Sequence, residues 1–245
     1  MQNENLSLVI MIMPKFKTRS REKEIIDLGP DFYTSQEYEH SLKKLFKINR
    51  IMGIFKNTVN LLQRFSERSV LADVGCGGGL LLLHLSKYYP RMKMLGLDIS
   101  TEAIELAEKE LDEWQQKNGS ISVEFKIQPQ PELDITPNSV DIILINLVCH
   151  HLDDDELIKF LIKANHTARK AVVINDLHRN FVAYWLYKII SPILFNNRLI
   201  THDGLLSIQK SFTRKELEFL LHKAGIKNYQ IKWHFPFWWS ILILK

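Results

Sequence analysis

One segment constrains this chain more than any other: the apolar run Leu71-Ala72-Asp73-Val74 leads into Gly75-Cys76-Gly77-Gly78-Gly79, and a helical pattern begins at Leu80. Glycines let a backbone turn tightly and approach a bound group closely, and a helix opening behind them presents free N–H groups. The glycines stand at 75, 77 and 79, whereas a dinucleotide fingerprint wants its third glycine at 80, where Leu80 stands. The Gly-Lys-Ser/Thr of a phosphate-cradling loop is missing. Asp73, just before the turn, suits a cationic ligand better than a pyrophosphate.

From Ser69 onward, strand and helix patterns alternate. Strands are expected over 70–74, 92–97, 122–127, 140–148 and 171–177, and helices over 80–89, 101–116 and 153–168, with Ser100 as an N-cap. Strands nearly continuous in apolar residues and separated by helices imply a parallel sheet covered on both faces. Thr213 caps a further helix ending near Gly225, and 228–233 and 237–244 lie close enough to pair as a hairpin. Residues 15–68 read as helical, with apolar spacing from Glu37 to Gln63 and a weak point at Gly53. The expected organisation is an N-terminal extension and helical cap over 1–68, followed by one domain over 69–245.

In an open parallel sheet, ligands sit beyond the C-terminal strand edges. Three further groups fall there. Asp98, in Gly96-Leu97-Asp98-Ile99-Ser100, is placed to accept hydrogen bonds from both hydroxyls of a ribose. Asn146 opens the stretch Asn146–Asp153 at the fourth strand's ligand edge, with His150 and His151 at the cleft mouth. A metal reading of His150, His151 and Asp153 is disfavoured because adjacent histidines lack the usual ligand spacing, so no metal is expected. His151 is equally open to a structural role in its loop. His178 and Asp176, after the fifth strand, read as a base with its orienting partner or as a satisfied loop network.

The insertion 178–211 is unusually apolar and aromatic, and Pro192 is expected to break it into two helical pieces. It reads as a lid over an apolar substrate; core packing and contact with a membrane surface are the alternatives. Trp233 to Trp239 reads as a packed hairpin. The apolar stretch Leu6–Met13 is too short to span a bilayer and lacks a signal peptide's preceding charges, and Met13 is a conceivable alternative start. Two cysteines suggest a reducing, cytoplasmic setting, and a net charge of +4 is too mild to single out a nucleic-acid partner.

Residues 69–177, through DVGCGGG, GLDIS and NLVCHHLDD, resemble the core of class I S-adenosylmethionine-dependent methyltransferases, in the branch that includes ubiquinone/menaquinone-biosynthesis enzymes. RSREKEIID, LKKLFKINR, INDLHRN and RLITHDGLLSIQKSFTRKEL extend the similarity to methyltransferases encoded beside secondary-metabolite genes. The resemblance implies a Rossmann-like α/β fold: seven strands, mostly parallel, with an antiparallel C-terminal strand. It implies S-adenosylmethionine as cofactor, its methionine part held by Asp73 and the turn (Gly75, Cys76, Gly77, Gly79), its ribose by Asp98 beside Ile99, and its adenine by a residue after the third strand. Many relatives carry Asp there; this chain offers Gln128 or Gln130, and Gln128 is preferred. The expected acceptor is a small apolar, aromatic, quinone-like or polyketide-like molecule methylated on oxygen or carbon, with His150, His151 or His178 as base. The competing readings are a cofactor-binding partner without catalysis and, as a minor one, a dehydrogenase. NLVC stands where a base-flipping methyltransferase carries Asn-Pro-Pro-Tyr, so no nucleic-acid substrate is expected.

Overall fold

A computed structural model describes residues 16–128, 133 and 135–245. Seven strands form one sheet in the order β3-β2-β1-β4-β5-β7-β6. They are β1 (Val70–Val74), β2 (Lys93–Asp98), β3 (Val123–Ile127), β4 (Val140–Asn146), β5 (Ala168–Leu177), β6 (Tyr229–His234) and β7 (Trp238–Leu244). The first five pair in parallel, while β7 runs antiparallel to both β5 and β6. The Rossmann-like architecture with an antiparallel C-terminal strand is thus the one observed.

Alternation along the strands builds two cores. Ala72, Val74, Ile143, Ile145, Val172 and Ile174 face one way, and Leu71, Ile142, Leu144, Ala171 and Val173 face the other. Helices cover both faces. In chain order they are α1 (Ser35–Ile51), α2 (Ile54–Leu62), α3 (Leu80–Ser86), α4 (Thr101–Asn118), α5 (Asp154–Thr167), α6 (Phe181–Leu194), α7 (Arg198–Lys210) and α8 (Arg214–Lys223). Local chemistry sets their ends. Gly53 separates α1 from α2 at φ 80°, Ser100 caps α4, and Asp153 and Thr213 open α5 and α8 with reciprocal Glu156 and Glu216 capping boxes.

Two expectations need correction. The helical reading of 15–68 holds only from Ser35. Residues before it form a strap with two short 3-10 turns, Ile25–Leu28 and Pro30–Phe32. Gly29, at φ 96°, and Pro30 interrupt any helix there, and Asp203 on α7 accepts hydrogen bonds from the backbone of Ile25 and Ile26 at 2.9 and 3.1 Å. Pro192 does not break the insertion either; it lies inside α6, and the break follows at Phe195, before Asn197 caps α7. A proline loses only its own N–H and crowds the carbonyl four residues earlier, so a helix already nucleated by the Asn180 cap continues to its end.

Candidate functional site

The strand order reverses between β1 and β4, which opens a crevice at their C-terminal ends. Asp73 and the glycine turn leave β1 there, Asp98 ends β2, and Asn146 ends β4. The turn is tied to β2: Gly75 and Cys76 donate to the Leu97 carbonyl at 2.8 and 3.0 Å, and Gly77 donates to Asp98 Oδ2 at 2.8 Å. Gly79 enters α3 at φ 72°, where a Cβ would stand 2.4 Å from the Phe125 ring. At Gly75, φ 73°, a Cβ would stand 2.3 Å from Val148.

Asp73 is buried, and its Oδ1 has no hydrogen-bond partner. Burial and, second, the negative charge of Asp98 push its pKa up to about 8, against a smaller pull from the Asn146 amide. The Asn146 side-chain nitrogen is likewise buried without a partner, while its Oδ1 accepts from Asn175 at 2.6 Å. The Asn146 amide is near enough to pull on the Asp73 carboxyl but makes no full hydrogen bond to it, so both atoms keep capacity for a ligand. The donor set fits a cationic amino-acid group such as the methionine part of S-adenosylmethionine. Asp98 receives Gly77 and Ser100 amides, one on each oxygen, which leaves each oxygen a further lone pair for a hydroxyl; burial raises its pKa.

Other expected contacts sit nearby. Cys76 is buried with its thiol pKa pushed well up by burial, Ile99 is exposed, and Gln128 is buried with its backbone N–H bonded to the Asp98 carbonyl at 2.7 Å. Gln130 lies outside the described residues. From above, α1 closes on the turn: Leu42 lies against Gly77 and Gly78, and buried Tyr38 stacks on Tyr33 at 5.1 Å.

The chain belongs to the methyltransferase-domain family. The family pattern matches residues 66–223. An uncharacterised Rickettsia prowazekii protein is 33% identical over 84 residues, which are 34% of this chain and 30% of that protein, so the chain spans under a third of that curated relative. An S-adenosylmethionine-dependent methyltransferase from Aquifex aeolicus superposes with a TM-score of 0.61 at 19% identity, over 84% of this chain and 97% of that one. Human N-acetylserotonin methyltransferase with bound S-adenosylmethionine gives 0.62 at 19%, over 86% of this chain and 56% of that one. Magnesium protoporphyrin IX methyltransferase from Synechocystis, with bound S-adenosylhomocysteine, gives 0.56 at 16%, over 79% and 83%. This is a methyltransferase domain.

Beside the methyl-donor crevice, a 3-10 turn over Cys149–His151 brings two of the three expected histidines together, their rings 4.4 Å apart. Leu147, held at φ 56° with its N–H on the Asn175 carbonyl at 2.8 Å, redirects the chain into this turn. Buried His150 bonds through Nδ1 to Asp176 at 2.7 Å, and its backbone N–H donates to the same carboxylate at 3.2 Å. Asp176 therefore orients His150 and not His178. His151 bonds through Nδ1 to Asp27 at 2.8 Å. Burial alone would lower the His151 pKa, but the Asp27 hydrogen bond and the charges of Glu24 and Asp27 outweigh it and hold it above the ordinary value. Asp27 in turn is held far below the usual carboxylate range by His151 and Lys210, against the effect of burial.

His178 has other partners: its Nδ1 accepts from Trp233 at 3.1 Å and its ring packs on Trp239. Asp153 is the α5 cap and does not join the histidines. Glu24, Asp27 and Lys210 were missed by sequence reasoning; the only signal was the unusual charge density of RSREKEIID. Arg19 fastens this strap, donating to the carbonyls of Lys210, His150 and Leu152 and to Asp154, with its guanidinium over Phe212.

Proposed function

We propose that this chain transfers the methyl group of S-adenosylmethionine to an ionisable oxygen, or to an electron-rich ring carbon, of a small aromatic, quinone-like or polyketide-like acceptor. The observation that carries this reading is the carboxylate-backed pair His150–Asp176 and His151–Asp27 beside the crevice. Asp73 and the turn (Gly75, Cys76, Gly77, Gly79) would hold the methionine part, Asp98 the ribose, Ile99 and Gln128 the adenine, and Asn146 the region next to the reacting centre. When bound, the donor supplies an already activated sulfonium methyl. The chain's own work is then to align the acceptor, exclude water and draw the acceptor's proton away.

His150 and His151 are held for that last task by the carboxylates on their Nδ1 atoms, while each Nε2 lies toward Glu24, at 3.8 and 4.0 Å. Proton handling by a positioned side chain contributes about 100- to 10,000-fold. We expect His150→Ala and His151→Ala to lose turnover within that range on a panel of phenols and quinones while retaining S-adenosylhomocysteine binding. Unchanged turnover in both variants would end the histidine reading.

The insertion offers a membrane-facing surface besides its reading as a lid. α6 packs on α7, with Tyr187 donating to the Ile200 carbonyl at 2.7 Å and its ring filling the space above Gly204. Its most apolar stripe faces outward: Val182, Leu186, Ile189 and Ile193 are 53%, 46%, 63% and 79% exposed. Among the described residues, no helix is long and apolar enough to cross a membrane. An apolar acceptor partitions into lipid, and residues 177–202 carry no acidic side chain, so this stripe is read as the face that meets an anionic bilayer surface. Ile189→Glu with Ile193→Glu should reduce co-sedimentation with phosphatidylglycerol vesicles several-fold and leave cofactor affinity intact. Equal sedimentation would remove the membrane contact from the account.

A further inference from the structure

We infer that Glu24, His150 and His151 form a binding site for one divalent first-row transition-metal ion at the acceptor side of the cleft. The inference rests on the reading above only in placing this cluster beside the acceptor. His150 Nε2 lies 3.8 Å from Glu24 Oε1, His151 Nε2 lies 4.0 Å from Glu24 Oε2, and the candidate ligand atoms of the three residues all fall within 4.8 Å of one another.

Three observations point to a cation among them. First, both imidazoles bond to carboxylates through Nδ1, His150 to Asp176 and His151 to Asp27. In the neutral ring, an Nδ1–H donated to a carboxylate puts the lone pair on Nε2, and a carboxylate behind the far ring nitrogen is the usual support of a metal-binding histidine. Second, these two ring nitrogens and the Glu24 carboxylate converge within 4.8 Å, a nitrogen-and-oxygen donor set of the kind that holds a transition-metal ion. Third, Glu24 is 97% buried by its 3% exposure, yet its Oε1 has no hydrogen-bond partner, while Oε2 accepts from Ser207 at 3.0 Å. The Lys210 ammonium stands 3.5 Å from that oxygen without hydrogen-bonding it, which leaves it a lone pair for an ion.

Lys210 is the nearest competing cation. Its Nζ lies 3.5 Å from Glu24 Oε1 but makes its hydrogen bond to Asp27, at 3.1 Å. It therefore offsets charge at the cluster while its hydrogen bond goes to Asp27. Two imidazoles with one carboxylate select zinc, iron, cobalt or nickel over magnesium or calcium, which prefer oxygen donors throughout. Donors about 2.1 Å from a shared ion stand roughly 3–3.5 Å apart, so closing the present gaps requires side-chain shifts of less than about 1 Å. Three protein ligands leave coordination positions for an acceptor hydroxyl. The ion would then acidify that hydroxyl in place of an imidazole, with the proton passing to solvent.

The test uses the full chain stripped with a chelator and titrated with Zn(II) and, for its visible spectrum, Co(II). The expected result is one ion per chain, with a Co(II) band of mixed nitrogen and oxygen coordination. Glu24→Ala and His151→Ala should each weaken binding at least 100-fold, and Asp176→Asn about 10- to 100-fold through the loosened His150 ring. His151 is 27% exposed, so His151→Ala carries the test if Glu24→Ala does not fold. No ion bound to the stripped wild-type chain, or equal affinity in the variants, overturns the site. Stoichiometric ion binding lost in the variants upholds it even where the panel of phenols and quinones gives no turnover, an outcome that would count only against the acceptor reading.

Discussion

Asp73→Asn is expected to weaken S-adenosylmethionine binding by about 10- to 100-fold at pH 8, the range for losing a hydrogen bond to a buried charged group. The cause is the unpartnered Oδ1 at the end of β1, with a pKa pushed up to about 8 by burial and by Asp98. In the ligand-free chain this carboxyl holds its proton between its unfolded value of 3.8 and about 8. The folded state then binds more protons than the unfolded state, so stability falls as pH rises through that window. A cationic ligand favours the ionised form, so binding releases a proton at pH 7 and affinity rises toward pH 8. Calorimetry in buffers of different ionisation enthalpy measures both effects. Asp73→Asn should abolish this proton release and flatten the pH dependence of affinity between pH 6 and 8. Release persisting unchanged in the variant would assign it to another group.

Gly79→Ala is expected to cost about 3 kcal/mol, combining a left-handed backbone for a residue with a side chain and overpacking of a filled site. The new Cβ would meet the Phe125 ring at 2.4 Å and Ala107 at 2.9 Å, and both neighbours are buried. Gly75→Ala meets a single side chain, Val148, where Gly79→Ala meets two, so it should be milder in stability. For a chain of this size Gly79→Ala corresponds to a melting temperature lower by roughly 6–12 °C. A shift below about 2 °C would mean that β3 and α4 yield more than their packing suggests.

Much of the sheet was legible because its strands are buried on both faces and punctuated by glycine turns and capping residues. Leu71–Val74 followed by Gly75 and Gly79 admits few alternatives, and Ser100, Asp153 and Thr213 mark helix starts by their own hydrogen bonds. Asp73, Asp98 and Asn146 were legible for the same reason, since the strand order alone carries them to one edge. The strap was not. Glu24 and Asp27 lie more than 120 residues from His150 and His151 in sequence, and no periodicity announces that Arg19 and Asp203 hold them there. The partners of His178 were not legible either, because Trp233 and Trp239 come from the β6–β7 hairpin more than 50 residues on.

The central claim is that the crevice at the ends of β1, β2 and β4 binds the methyl donor. Calorimetric titration of the wild-type chain with S-adenosylmethionine and S-adenosylhomocysteine tests it most directly, with Asp98→Ala measured in parallel. The account predicts one site per chain for each ligand, with affinity reduced at least tenfold in Asp98→Ala. Absence of binding by both ligands to the folded wild-type chain would contradict it.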